Sequence, residues 1–318
     1  MLLVLAGLAA FTAWRPGTSQ RDGAHDLRRN GLWLAHGWLG GDSWFTRHGK
    51  GAELERYRSA AAITLLRARL ARGHVTDVFP HLCPAEPEGR LPDVDAVQTE
   101  RVLDALEGVR VFPWIGGPNA DFPLSDEGWV TRYLASVRAL LAAHPRLAGV
   151  HLNVEPMPSG NAGFLTFLER LRAVLPPGKL LSVAAYPPPT AWQPAAEVHW
   201  EEAYSRAVAQ RADQVVPMLY DTSIRFEKPY VALMARWTRE TLAWSEGRPV
   251  LLGLPAYDDS GVGYHHADVE NLRSALAGVH AGLGDGRLPP TYQGVALYSD
   301  WEIDEAEWRL FADEFLSP

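Results

Sequence analysis

From Asn30 onward the sequence alternates between short apolar runs closed by glycine or proline and longer stretches whose apolar residues recur every three or four positions. Eight runs read as buried strands: 31–40, 75–83, 109–117, 147–156, 180–187, 214–221, 249–257 and 293–301. The intervening stretches read as amphipathic helices, most clearly 53–72, 129–143, 161–175 and 268–283, with 305–316 closing the chain. Near-continuous apolar strands separated by helices are what a parallel sheet covered on both faces requires. Eight such units predict the α/β class and a single-domain (β/α)8 TIM barrel over residues 23–318. An open doubly wound sheet is the competing arrangement, and no Gly-x-Gly-x-x-Gly turn follows the first strand to support it.

Residues 1–22 precede this pattern as an apolar segment and linker. The run MLLVLAGLAAFTAW has the length of a signal-peptide core and is too short to span a bilayer comfortably. It lacks a basic leading region, so an N-terminal anchor and a start placed too far downstream are the alternatives. The expectation is export from a bacterial cell, with any membrane contact confined to such an anchor. A net charge of −8 excludes nucleic acid as a partner, because no basic stripe is available to neutralise phosphates. The single cysteine, Cys83, rules out an internal disulfide and a multi-cysteine metal site. A monomer that uses no metal and no cofactor is expected.

The fourth strand candidate breaks the apolar rule in an ordered way. Val150, Leu152 and Val154 point to one side, and His151, Asn153 and Glu155 to the other. The apolar set suits the helix layer, which turns the polar set into the barrel. Three inward polar side chains cost several kcal/mol unless each finds a partner. A hydrogen-bonded cluster that merely fills the lumen is one reading. The other is catalytic, because Glu155 falls at the C-terminal end of its strand, where such barrels keep their active groups. A glutamate in a partly apolar pocket gains proton affinity and can protonate a leaving oxygen.

The segment AGVHLNVEP at 148–156 resembles the DGIDIDWEY segment of the family 18 glycoside hydrolases, the chitinases and related endo-N-acetylglucosaminidases. Other strands resemble that family in order: VFPWIGG at 111–117, with Trp114 where serine is usual, LLSVAAYP at 180–187, MLYD at 218–221, GLPAY at 253–257 and GVALYSDWEID at 294–304. The resemblance implies a retaining hydrolase of N-acetylhexosaminides in which Glu155 is general acid and then base. The substrate's own acetamido group is the nucleophile. The position of Asn153 orients that group, Tyr220 hydrogen-bonds its oxygen, and Asp221 lies close to the same sugar. Ala148, His151 and Asn153 stand where the family shows three aspartates. An Asn-x-Glu pair of this kind occurs in the related family 85 endo-β-N-acetylglucosaminidases. His151 replaces a carboxylate either as a neutral buried partner or as a contact to a different sugar.

The expected partner is an oligo- or polysaccharide. Trp38, Trp44, Trp114, Tyr186, Trp192, Tyr257, Tyr298 and Trp301 fall at or beyond strand ends, where aromatic rings can stack on sugar C–H faces. Trp301 and Tyr298 are the foremost of these, with Asp300 and Glu302 as flanking carboxylates. His265 and His266 lie in a loop with Asp258, Asp259 and Asp268 that reads as solvated or sugar-contacting rather than metal-binding. Two other functions compete. One is a two-carboxylate retaining glycosidase, for which the seventh strand end offers only Asp258. The other is a chitinase-like lectin without activity. Because the N-terminal segment finds no partner in an eight-unit barrel, a chain beginning near Gly23 is expected to stay soluble and folded. Misfolding of that shortened chain, with the full chain well behaved, would show instead that the segment packs on the barrel.

Overall fold

The computed structural model describes residues 2–193, 195–259 and 261–318. Its strands are β1 (Asn30–Leu34), β2 (Val75–Pro80), β3 (Arg110–Val111), β4 (Trp114–Pro118), β5 (Gly149–Glu155), β6 (Leu180–Ala185), β7 (Gln214–Pro217), β8 (Val250–Pro255) and β9 (Tyr292–Tyr298). All pair in parallel, in the order β3-β2-β1-β9-β8-β7-β6-β5-β4. β3 and β4 are two halves of the third barrel strand, parted at Phe112 and Pro113. Proline has no N–H to give to a ladder, which explains the break. Bonds across the gap complete the cylinder: Phe112 N–H donates to the Val78 carbonyl at 2.9 Å, Leu82 N–H to Trp114 at 2.8 Å, and His151 N–H to Pro113 at 2.9 Å. The chain is therefore a (β/α)8 barrel built from the eight expected runs.

The helices are α1 (Leu2–Ala13), α2 (Asp42–Arg47), α3 (Glu55–Arg58), α4 (Ala60–Arg72), α5 (Ala96–Ala105), α6 (Glu127–Ala143), α7 (Ala162–Val174), α8 (Glu202–Arg211), α9 (Glu227–Trp244), α10 (Leu272–Leu283) and α11 (Glu305–Glu314). The single helix expected over 53–72 is divided at Ser59. That residue is extended, and its hydroxyl accepts the Ala62 N–H to cap α4.

The fourth-strand alternation holds. Val150, Leu152 and Val154 join the core between sheet and helices. A separate cluster of Trp33, Phe79, Phe112, Trp114, Val216 and Leu251 packs apart from it. His151 is sealed beside that cluster with no exposed surface, its ring stacked 4.1 Å from Phe79. Trp33 Nε1 donates to His151 Nε2 at 3.1 Å, which leaves Nδ1 as the protonated nitrogen, donating to Ser182 Oγ at 2.9 Å. The Ser182 hydroxyl donates to Gln214, Gln214 to Gln293, and Gln293 to Asp77, each at 2.8–2.9 Å. Arg110 meets the other Asp77 oxygen at 2.6 Å. The reading of His151 as a sugar contact is thus corrected: it is a neutral link in a buried chain.

Asp26 gathers the foot of the barrel. Its carboxylate accepts from the Arg28 N–H and Asn30 side chain on one oxygen, and from His74 and the Ser317 N–H and hydroxyl on the other. The N-terminal segment, of which Met1 lies outside the described residues, also finds partners. Lys228 Nζ on α9 donates to the carbonyls of Phe11 and Thr12 at 2.7 and 2.9 Å, and Thr18 N–H donates to Ala277 of α10 at 3.0 Å. The approach is close because Gly17 presents no side chain toward Val231 and Ala277. The expectation of a partnerless segment is therefore wrong in its premise. No helix among the described residues is long and apolar enough to cross a membrane.

His151→Leu should destabilise the fold by roughly 1–3 kcal/mol, because it leaves the Trp33 N–H without its acceptor and takes the donor away from the Ser182 hydroxyl oxygen in a dry interior. Burial pushes the His151 imidazole down to about 3 from 6.5. The unfolded chain therefore takes up a proton that the folded chain refuses, and stability falls as pH drops from 6.5 toward 3. Denaturant unfolding across that range should show a shallower acid loss in the variant. Equal stability and an unchanged pH slope would remove the network from the account.

Candidate active site

Two residues along the same face of β5 as His151 comes Asn153, and two further Glu155, at the mouth. Close approach of β4 holds this part of the strand. Gly116 has φ 119°, and a Cβ there would lie 1.9 Å from the Asn153 carbonyl oxygen, so only glycine fits. Asn153 is nearly buried, and its side-chain NH2 donates to Glu155 Oε1 at 2.5 Å. With the amide in that orientation, the Asn153 side-chain oxygen is left for another donor. Tyr186, just past the end of β6, donates its hydroxyl to Glu155 Oε2 at 3.2 Å.

Glu155 opens on a cavity of about 700 Å³, within the ~300–1,000 Å³ usual for small-ligand sites. Tyr186, Met218, Tyr220 and Asp221 line it at the strand ends. Tyr220 lies face to face with Tyr298 at 5.4 Å, and Tyr298 meets Tyr257 edge to face. The hydroxyl of Tyr257 donates to Asp221 Oδ1. Crowding by protein raises the Glu155 carboxyl above its ordinary value. The bonds from Asn153 and Tyr186 pull it back, and the like charge of Asp221 adds to the rise. Such a group holds its proton to higher pH than a free glutamate does, which is what a general acid requires.

No family model matches the sequence, and no curated protein matches it. Similarity appears in shape. The spore cortex-lytic enzyme SleL of Bacillus cereus aligns over 91% of this chain and 76% of its own, with a TM-score of 0.58 at 12% identity. A chitinase from Chromobacterium violaceum aligns over 89% of this chain and 98% of its own, with a TM-score of 0.54 at 17% identity. A chitinase from Bacteroides thetaiotaomicron gives 0.53 at 16% identity over 88% of this chain and 93% of its own. The fold is that of a chitinase-like barrel.

Within this chitinase-like barrel the sequence-derived residues separate into groups. Glu155, Asn153, Tyr186, Tyr220 and Asp221 meet at the cavity, with Tyr257 and Tyr298 directly behind. Trp38 and Trp301 do not join them. They line a smaller cavity of about 190 Å³ with Tyr57, Trp308 and Asp300. There the Asp300 carboxylate accepts the Ala35 N–H at 2.6 Å and Trp38 Nε1 at 3.2 Å, and burial pushes it up to about 7. Trp301 reaches the main site only through its edge contact with Tyr298. Trp114 is buried with its ring against His81 at 4.1 Å. Trp38 and Trp114 are thus buried, and none of the three lines the cavity beside Glu155.

The sequence reading missed most of the connection between β6 and α8, which supplies Trp192, Gln193, Val198 and His199 to the cavity. Of these residues, only Trp192 was singled out in the sequence, as an aromatic at or just beyond a strand end. Tyr264 and Ser223 were not anticipated either. His265, expected in a solvated or sugar-contacting loop, is buried and donates Nδ1–H to Asp221 Oδ1 at 3.1 Å.

Tyr186→Phe removes a donor that favours the Glu155 carboxylate. The Glu155 titration should therefore move to higher pH, observable through the carboxyl carbon of labelled glutamate by NMR. An unmoved or acid-shifted titration would mean that the Tyr186 bond does not stabilise the charged form.

Proposed function

We propose that the chain is a retaining glycoside hydrolase of N-acetylhexosamine-containing glycans, working by substrate assistance and acting outside the cytoplasm. The observation that carries this reading is the hydrogen-bonded Asn153–Glu155 pair beside a cavity walled by Tyr220 and Asp221. The solved chains of similar fold include chitinases and a spore cortex-lytic enzyme, which agrees with glycan cleavage, although fold alone never fixes chemistry.

In the first step Glu155, protonated, gives its proton to the glycosidic oxygen as the bond to the anomeric carbon breaks. The carbonyl oxygen of the sugar's 2-acetamido group attacks that carbon and closes an oxazoline ring. Asn153 accepts the acetamido N–H through its amide oxygen, which aims the nucleophile and supports the positive charge that develops on it. In the second step Glu155, now a carboxylate, takes a proton from water as the water opens the ring. Tyr220 hydrogen-bonds the acetamido oxygen, and Asp221 accepts from the same sugar. Trp192 is 63% exposed and stands with Val198 and Tyr264 at the cavity rim, an apolar surface for the sugars beyond the cleaved bond. A two-carboxylate mechanism is less well supported, because Asp258 lines a different cavity with Glu302, Asp304 and Glu307.

Glu155→Gln should lose ~100-fold or more in turnover on a chito-oligosaccharide while melting like the parent. A thiazoline analogue of the oxazoline should inhibit the parent competitively, since mimics of high-energy intermediates bind more tightly than substrates. Asn153→Ala should lose turnover far more than ground-state binding. Cleavage of glycosides that carry a 2-hydroxyl, with no thiazoline inhibition, would replace substrate assistance by an enzyme-borne nucleophile. Tight glycan binding without any turnover would make the chain a lectin.

A further inference from the structure

The turn after β7 is held in an unfavourable backbone shape. Asp221 and Ser223 both have φ 59°, in the left-handed region that is unfavourable for a residue with a side chain. Such a turn persists only where its surroundings fix it, and here one loop, following β8, does so residue by residue. Ser223 N–H donates to the Tyr264 carbonyl at 2.9 Å. Thr222 N–H donates to Glu270 Oε2 at 2.8 Å. The Asp221 carboxylate takes its bonds from His265 and Tyr257.

Both of those donors converge on Asp221 Oδ1, which leaves Oδ2 as the oxygen available to the cavity. One donor would let the carboxylate pivot about its bond, whereas two donors from different directions fix its plane. His265 does not face the cavity itself. It is 4% exposed, and its ring lies 4.3 Å from that of Tyr257 at 22°. Behind it, Nε2 is buried without a hydrogen-bond partner among the described residues, as is Glu270 Oε1. Burial alone would push the imidazole down, but the bond to Asp221 and the charges of Asp221 and Glu270 outweigh it and raise the group.

We propose that His265 is a positioning residue which, acting through Asp221, fixes the carboxylate oxygen that the cavity presents to the sugar. The inference rests on the reading of that cavity as a sugar site, and the loop carries it because three consecutive residues of the turn are anchored there.

Binding of a chitobiose-derived thiazoline, measured by calorimetry, tests the proposal in five proteins: the parent, His265→Ala, His265→Asn, Asp221→Asn and the double variant of His265→Ala with Asp221→Asn. His265→Ala should weaken binding by about tenfold, the scale of one lost coupling between neighbours. The double variant should bind no more weakly than Asp221→Asn alone. His265→Asn places an N–H donor where Nδ1 stood and should recover most of the loss. Unchanged binding in His265→Ala, or losses that simply add in the double variant, would overturn the proposal. A second readout needs no ligand. In the ring-nitrogen NMR spectrum of the full chain, Asp221→Asn should lower the His265 titration, and asparagine tolerates the left-handed backbone at that position. A titration that does not move would overturn the coupling even in a folded protein. Failure of every protein, the parent included, to bind thiazoline while that titration does move would instead sink the sugar reading and leave the coupling standing.

Discussion

The chain of hydrogen bonds from Trp33 through His151, Ser182, Gln214 and Gln293 to Asp77 sets the conditions for everything above it. A lumen this dry tolerates polar side chains only if every donor meets an acceptor, and here the direction of each proton follows from its neighbours. Trp33 can only donate and Asp77 accepts, so the histidine between them has one allowed tautomer and one allowed ring orientation. That pins β5 against its neighbour β6 and ties it to β1 across the lumen. Asn153 and Glu155 follow on the same face at two-residue intervals, so the pair at the mouth inherits its aim from the layer beneath.

The barrel was legible because two physical signals coincide in it. Parallel strands buried on both sides must be apolar throughout, and the helices that cover them must repeat every three to four residues. What the pattern could not give was depth. His151 and Asn153 are one strand period apart and read alike, yet one is sealed against Phe79 while the other touches the Glu155 carboxyl at the mouth. The break in the third strand was written in Pro113, whose effect on the ladder was left unread. Aromatic residues past the strand ends were the hardest to place, because the two-residue alternation stops where the strand stops. Trp301 turns with Trp38 toward a side cavity and Asp300, while Trp192 reaches the rim from a long loop. His265 was hidden for the same reason: only the path of its loop brings it behind Asp221.

Ala148, His151 and Asn153 occupy positions where the resembled strand carries aspartates, and the structure makes these changes coherent. With neutral groups below it, Glu155 has no carboxylate neighbour on its own strand face to share a proton with. Its raised proton affinity comes instead from crowding and from Asp221 across the cavity. Part of what sets that affinity therefore lies two strands away, at the turn after β7. That makes the geometry of the β7 turn more consequential than the strand-four motif alone would imply.

The foot of the barrel has a mechanical side. Asp26, beside the first strand, and Ser317, beyond the last helix, are joined through one buried carboxylate that also holds His74. Tension applied along the polypeptide from the last helix would therefore be borne at this knot, and tension from the other direction would reach it once the contacts of Phe11, Thr12 and Thr18 had given way. The load would pass between the first and last elements of the ring without crossing the opposite rim.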